Sequence, residues 1–286
     1  MNALIDQFEQ APNMPKTLVV GLGVTGLSVA RHLNKRGRPF AVIDSREQPP
    51  GIQELQSEMP DVPVFLGAFD IELFKMGDRL VVSPGIALST PEIQAAIASG
   101  AEVIGDIELF ARAVNAPVVA ITGSNGKSTV TTLVGEMAKA AGRKVAIGGN
   151  LGTPALDLIQ PDVDLYVLEL SSFQLESTHS LAPAVSCVLN IQADHMDRYD
   201  SIDAYAAAKA TIYSNAMVGI RNADDARVMG MLANDEGWTF SNGKPTNDRS
   251  LVSPIMRVKR IFAAANCHLY LSVNYVFPAN IINPMH

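Results

Sequence analysis

Lys127 and Ser128 carry the clearest chemical signal in this sequence. They follow the loop Thr122-Gly123-Ser124-Asn125-Gly126 and precede Thr129 and a run of helix-forming composition, Val130 to Ala141. The apolar stretch Val118 to Ile121 ahead of the loop reads as a buried parallel strand. Strand, glycine loop and Lys-Ser at a helix start form a phosphate cradle, here Gly123 to Thr129. Backbone N–H groups face the anion, the helix dipole favours negative charge, and the lysine reaches the outer phosphates. The Ser128 hydroxyl suits Mg²⁺. The loop is a short one. Counting back from Lys127, the first glycine of G-x-x-x-x-G-K-[ST] would fall on Ile121, and the chain has Gly123 instead.

Three more residues fall where such a cradle needs them. Val163 to Leu168 is a nearly all-apolar strand ending in Glu169. An acid at the end of a buried strand beside a phosphate loop is placed to hold or orient Mg²⁺. Ala184 to Leu189 is another buried strand, running out at Asn190. His195 follows, at the edge that carries ligands in open parallel sheets. Lys209 lies on an alanine-rich helix, Ala204 to Tyr213, and composition alone reads it as a solvated lysine.

A second glycine word stands earlier. Gly21, Gly23 and Gly26 form G-x-G-x-x-G after the strand Lys16 to Val20. Helix Leu27 to Arg36, stopped by Gly37, leads to the strand Phe40 to Ile43 and then Asp44-Ser45-Arg46. An acid about twenty residues past the glycines in a strand–helix–strand unit fits the dinucleotide fingerprint. It signals a nucleotide without saying which. NAD, with Asp44 on a ribose hydroxyl, is one candidate.

These elements predict an α/β fold: a Rossmann-like parallel-sheet domain over 1–104 and a P-loop-type α/β domain over 105–249. The spacing predicts a helix over 91–99 with Thr90 as its cap, a helix over 106–114, and strands at 144–147, 218–222 and 238–240. Residues 52–79 hold short elements that the pattern does not place.

The chain has 286 residues, 48% hydrophobic and 18% charged, a globular balance with room for two cores. A net charge of −7 argues against a nucleic-acid surface. Cys187 and Cys267 form no C-x-x-C pair, which suits a reducing compartment. No stretch is apolar enough for a membrane span, and Met1 to Pro15 has no signal-peptide core.

The loop T-G-S-N-G-K-S resembles the ATP loop of the Mur ligases, the ATP-dependent amide-bond formers of peptidoglycan synthesis. Gly21-Leu-Gly-Val-Thr-Gly26, Ser83-Pro-Gly85, Glu169-Leu-Ser-Ser-Phe-Gln174 and Asp194-His-Met-Asp-Arg198 look most like its D-glutamate-adding members. The resemblance covers roughly 16–240 and implies a cytoplasmic, monomeric ligase. Such an enzyme joins D-glutamate to UDP-N-acetylmuramoyl-L-alanine through an acyl phosphate, using ATP and Mg²⁺ at two sites. It implies that Val24, Thr25, Asp44, Ser45, Arg46 and Gly85 hold the UDP end, and that Asn150 and Ser171 touch the muramoyl or lactoyl part. It also implies metal binding by Ser128, Glu169, His195 and Lys209, with Lys209 in Tyr205-Ala-Ala-Ala-Lys209 carbamylated.

After about residue 249 the pattern departs from that family. Ser250 to His286 contains no Asp or Glu, although the preceding residues hold all 29. Neither the family's adenine-contacting Gly-His-Asn word nor its amino-acid-binding third domain is matched there. The chain as given is therefore expected to bind ligands without closing the amide bond. Three other readings stand beside this one. An NAD-dependent oxidoreductase leaves the second loop unexplained, a folate-type ligase should lack the first strand–helix–strand unit, and the last is a non-catalytic UDP-sugar or ATP binder.

Overall fold

The computed structural model describes residues 16–232, 237–243 and 249–252. The described residues build two all-parallel sheets. The first has the order β3-β2-β1-β4-β5, from β1 (Thr17–Val20), β2 (Ala41–Asp44), β3 (Val64–Leu66), β4 (Arg79–Val82) and β5 (Glu102–Ile104). The second has the order β12-β11-β10-β9-β6-β8-β7. Its strands are β6 (Val118–Thr122), β7 (Val145–Gly149), β8 (Leu165–Glu169), β9 (Val185–Val188), β10 (Val218–Asn222), β11 (Trp238–Ser241) and β12 (Ser250–Val252). Parallel strands covered on both faces read as continuous apolar runs, and β6, β8 and β9 are buried throughout.

Helices supply the cover: α1 (Val24–Lys35), α2 (Ile52–Glu58), α3 (Ile71–Lys75), α4 (Pro91–Ala98), α5 (Asp106–Ala111), α6 (Lys127–Ala140), α7 (Ser172–Glu176), α8 (Ile202–Ala210) and α9 (Ala226–Met229). In each sheet one strand stands between neighbours reached in opposite directions. Those strands are β1, between β2 and β4, and β6, between β8 and β9. In open parallel sheets the crevice beyond such a strand's carboxyl end takes the ligand. Each of these two strands runs directly into one of the glycine loops.

Several boundaries differ from the sequence reading. α1 starts at Val24 rather than Leu27, so Val24 and Thr25 form its first turn. β7 extends through Gly148 and Gly149, two residues past the strand expected over 144–147. Gly149 has φ +98, and a Cβ there would meet the Glu169 backbone oxygen at 2.4 Å, so close strand approach demands glycine. Thr122 ends β6 rather than opening the loop. The helix expected over 106–114 stops at Ala111, and α8 spans Ile202–Ala210 with a 3₁₀ turn after it. Thr90 precedes α4 as expected, but its hydroxyl donates to the Ala87 carbonyl at 2.6 Å and caps nothing. The region 52–79 contains α2, β3 and α3. The second sheet continues past residue 249, because β12 pairs with β11. Residues 1–15, and the expected tail from 253 onward with Cys267, lie outside the described residues.

The expected division at 104/105 falls between β5 and α5, and polar side chains tie the segment down. Glu108, 1% exposed, accepts from the N–H groups of His179 (2.7 Å) and Ser180 (2.8 Å), from the Ser180 hydroxyl (2.8 Å) and from Arg112 Nε (2.8 Å). Arg112 reaches on to Glu102 of β5 at 2.6 Å. Burial alone would raise the Glu108 carboxyl, but these donors outweigh it and hold the group down at about 2 against an ordinary 4.5. The folded state therefore binds its proton less readily than the unfolded chain. This contribution is complete above about pH 4.5 and fades as pH falls toward 2. Glu108→Gln should lower stability by about 2–3 kcal/mol at pH 7, and its deficit should shrink at pH 3, measured by urea unfolding.

Candidate functional site

The loop after β6 is held open by its own side chains and by the segment beyond β9. Ser124 N–H donates to the Asn190 carbonyl (3.0 Å), and Asn125 N–H to the Asn190 side chain (2.9 Å). Asn125 Nδ2 reaches Gln192 Oε1 at 2.8 Å. Gly126 occupies the left-handed region at φ +79 directly before α6, a position that strains any side chain. Lys127 begins α6, and its Nζ folds over the loop to the Ser124 carbonyl at 2.9 Å. Asn125, Gly126, Ser128 and Thr129 are exposed, so the free N–H groups at this helix start face solvent.

Glu169, 2% exposed at the end of β8, meets this loop. Its Oε2 accepts from the Ser128 hydroxyl at 2.7 Å and its Oε1 from Asn150 Nδ2 at 2.8 Å. Three residues assigned separately from sequence thus form one hydrogen-bonded unit of hard oxygen and amide groups. Ser171 takes a different place. It caps α7 in a capping box with Gln174, its hydroxyl accepting from the Gln174 N–H at 3.2 Å.

Lys209 corrects the solvated reading that its helix composition suggests: it is 1% exposed. Its Nζ donates to Thr122 Oγ1 at 3.3 Å and lies 4.7 Å from the centre of the Tyr205 ring. Burial pushes the ammonium from 10.5 down to about 7, the Lys127 charge adds to this, and Asp194 and Glu169 oppose it. This amine therefore loses its proton far more readily than an exposed lysine does. His195 stands in a left-handed turn at φ 56, the one positive-φ non-glycine among the described residues. It packs on Phe173 (centroids 4.9 Å) and approaches the edge of Tyr205 (6.3 Å), so Tyr205 touches both His195 and Lys209. Among the described residues no three His, Cys, Asp or Glu side chains gather at one point. Of the expected metal set, Ser128 and Glu169 are hydrogen-bonded to each other, and His195 and Lys209 both lie against Tyr205.

The first glycine loop is built as tightly. A Cβ on Gly26 would fall 1.8 Å from the Gly21 carbonyl oxygen, so α1 packs on β1 only with glycine there. Asp44, 2% exposed, accepts four hydrogen bonds. Leu22 N–H (2.7 Å) and Arg46 Nη2 (2.6 Å) meet Oδ2, and Arg46 N–H (2.9 Å) and Nε (2.8 Å) meet Oδ1. Burial works against the charged carboxylate, but the Arg46 and Leu22 hydrogen bonds prevail and its pKa is lowered.

One cleft of about 550 Å³ joins the two halves. Val24, Thr25, Asp44, Ser45, Arg46 and Gly85 line it from the first sheet, and Asn150 from the second. Seven of the eight residues expected at the substrate therefore share one cavity, and Ser171 is the exception. Gln174 also lines it and was not singled out from sequence, although the Ser-x-x-Gln capping spacing was legible. Gln174 Nε2 donates to Asp106 at 3.1 Å, a buried acid whose carboxyl is pushed up to about 6 by its burial.

Comparison with known proteins accords with this geometry. Residues 15–105 match the family model "Mur ligase MurD-like, N-terminal domain", and residues 121–267 match "Mur ligase middle domain". The second match runs past residue 249, where the sequence resemblance was expected to end. The chain is 60% identical over 211 residues to a UDP-N-acetylmuramoylalanine–D-glutamate ligase of Marinobacter nauticus, covering 74% of this chain and 47% of the relative. It is 55% identical over 229 residues to the Pseudomonas fluorescens protein of that name, covering 80% of this chain and 51% of the relative. The chain spans about half the length of these relatives. A Neisseria meningitides UDP-N-acetylmuramate:L-alanyl-gamma-D-glutamyl-meso-diaminopimelate ligase shares the fold, with TM-score 0.54, 15% identity and coverage of 88% of this chain and 92% of that one.

Proposed function

This chain belongs to the Mur ligase family, and from that premise we propose that it supplies the UDP-substrate and ATP sites of a D-glutamate-adding ligase. The reaction is the joining of D-glutamate to UDP-N-acetylmuramoyl-L-alanine through an acyl phosphate, in peptidoglycan precursor synthesis. The observation that carries the choice of nucleotide is Asp44. A carboxylate oxygen accepts about two hydrogen bonds, and both Asp44 oxygens already accept two. A ribose hydroxyl of NAD would have no lone pair left to meet. What Asp44 does instead is fix the Leu22 N–H and aim Arg46, 52% exposed, into the cleft mouth, where a uridine diphosphate is recognised by backbone and guanidinium groups.

On the second sheet, ATP fits the loop that Gly123 to Thr129 form, and Lys127 spreads positive charge over the phosphates it transfers. The donors near Glu169 fit Mg²⁺. Ser128 and Glu169 offer oxygen, and Mg²⁺ is held through one or two carboxylates plus phosphates and waters rather than in an all-protein cage. When bound, the cation neutralises anionic donor and acceptor so that they can meet. His195 and a carbamate on Lys209 would hold a second Mg²⁺. Support for the carbamate comes from burial, since CO₂ adds to a free amine and Lys209 is depressed to about 7. Asn150 would border the muramoyl and lactoyl portion within the cleft, while Ser171, committed to the α7 cap outside it, would meet that portion only at the cleft's rim. No side chain need act as nucleophile, and the protein's task is orientation and charge stabilisation. No helix of the described residues is long and apolar enough to cross a membrane. The charge of −7 disfavours nucleic acid, and the enzyme works in the cytoplasm as a monomer.

Calorimetry tests the first half of this reading. UDP-N-acetylmuramoyl-L-alanine should bind with a Kd in the micromolar range and NAD⁺ at least about 100-fold more weakly. NAD⁺ binding tightly in place of the UDP compound would reject it. Asp44→Ala, which frees Arg46 and Leu22 N–H together, should weaken the UDP compound about tenfold in the same experiment.

A further inference from the structure

Thr122 is fully buried at the end of β6, and its hydroxyl proton has one destination: Oγ1 donates to the Leu170 carbonyl at 2.7 Å. Toward Lys209 Nζ, 3.3 Å away, the hydroxyl can therefore offer only a lone pair, and the amine must donate. Among the described residues Thr122 is the only hydrogen-bond partner of that nitrogen. On another side Nζ faces the Tyr205 ring at 4.7 Å, whose negative face attracts N–H. Tyr205 is itself fixed, its hydroxyl 3.3 Å from Ser124 Oγ and its ring against Tyr199 at 5.2 Å. A neutral amine has two N–H groups and one lone pair. With one N–H on Thr122 and the other toward the ring, the lone pair points away from both. Were the Thr122 proton uncommitted, it could donate to that lone pair and block it, and the Leu170 carbonyl prevents this.

We infer that Thr122 is a positioning residue that holds the Lys209 amine with its lone pair free for CO₂. This rests on the reading of Lys209 as the carbamylated residue. The Nζ lone pair forms the new bond to the CO₂ carbon, one C=O electron pair moves onto oxygen, and one N–H proton leaves to water. The carbamate anion keeps its remaining N–H on Thr122. No oxidant or reductant takes part.

The test is ¹³C NMR of the 286-residue chain equilibrated with ¹³C-bicarbonate, with Lys209→Arg as the blank. Wild type should show a Lys209-dependent carbamate signal. Thr122→Ser, which keeps the hydroxyl, should retain it within about twofold, and Thr122→Val should lower it about tenfold at equal CO₂. Binding of UDP-N-acetylmuramoyl-L-alanine at the first sheet reports whether each variant is folded, and Thr122→Ala replaces the valine variant should that one fail. Carbamate at the wild-type level in Thr122→Val or Thr122→Ala would overturn the role of Thr122 alone. So would a Thr122→Ser protein as depleted as Thr122→Val, since the methyl group rather than the hydroxyl would then decide. A folded wild type with no signal would overturn the reading of Lys209 and this inference with it.

Discussion

Lys127→Ala should raise the Kd for Mg²⁺·ATP by about 100-fold or more while UDP-N-acetylmuramoyl-L-alanine binding changes by less than about twofold. Lys127 is the cation that caps the loop, and its Nζ sits on the Ser124 carbonyl at 2.9 Å. A bound triphosphate would draw it off that carbonyl. The loop itself should survive, because Ser124, Asn125, Asn190 and Gln192 hold it by hydrogen bonds that do not involve Lys127. The cleft proposed for the UDP compound includes neither this lysine nor any other residue of its loop. Calorimetry with both ligands, on one preparation, separates the outcomes. Equal loss of both would mean that the loops are wrongly assigned or that the variant is unfolded.

Glu169→Gln should have the second largest effect, of a different kind. The amide fills the same space beside Ser128 and Asn150, so the strand end should stay packed and the Tm should not fall. The missing negative charge should remove most of the advantage that Mg²⁺ gives to ATP binding, about 10- to 100-fold, leaving metal-free ATP nearly unaffected. Titrating ATP with and without Mg²⁺ gives the ratio directly. An unchanged Mg²⁺ advantage would remove Glu169 from the metal site.

The parts of this site that were legible in the sequence are those with a strong local signature. β6, β8 and β9 are apolar runs because both faces are covered; β6 and β8 end at residues with chemistry, Thr122 and Glu169, and β9 stops two residues before Asn190. The two glycine loops were legible because single positions in them need glycine: a Cβ on Gly26 would fall 1.8 Å from the Gly21 oxygen, and Gly126 has φ +79. Short pieces escaped. β3 has three residues and is not buried, so it gives neither a continuous apolar run nor clear alternation. Lys209 escaped composition because α8 is rich in alanine, and the partner that receives its amine, Thr122 on β6, is distant in sequence. The one local hint was Tyr205, a helical turn earlier. Asp44 was placed in the pocket, but that all its lone pairs are filled is a three-dimensional fact, set by where Leu22 and Arg46 fall.

The central proposal is that a UDP-linked substrate in the cleft at the first sheet reaches toward a triphosphate held by the separate loop after β6. A crystal structure of the chain with UDP-N-acetylmuramoyl-L-alanine, Mg²⁺ and a non-hydrolysable ATP analogue tests it most directly. The account predicts the diphosphate at the start of α1 beside Gly21 to Gly26, with the uridine near Asp44 to Arg46. It places the triphosphate in the loop Gly123 to Ser128 and the substrate carboxylate on the Lys209 side of Glu169. Uridine in the second loop, or a substrate bound wholly outside the 550 Å³ cleft, would contradict it.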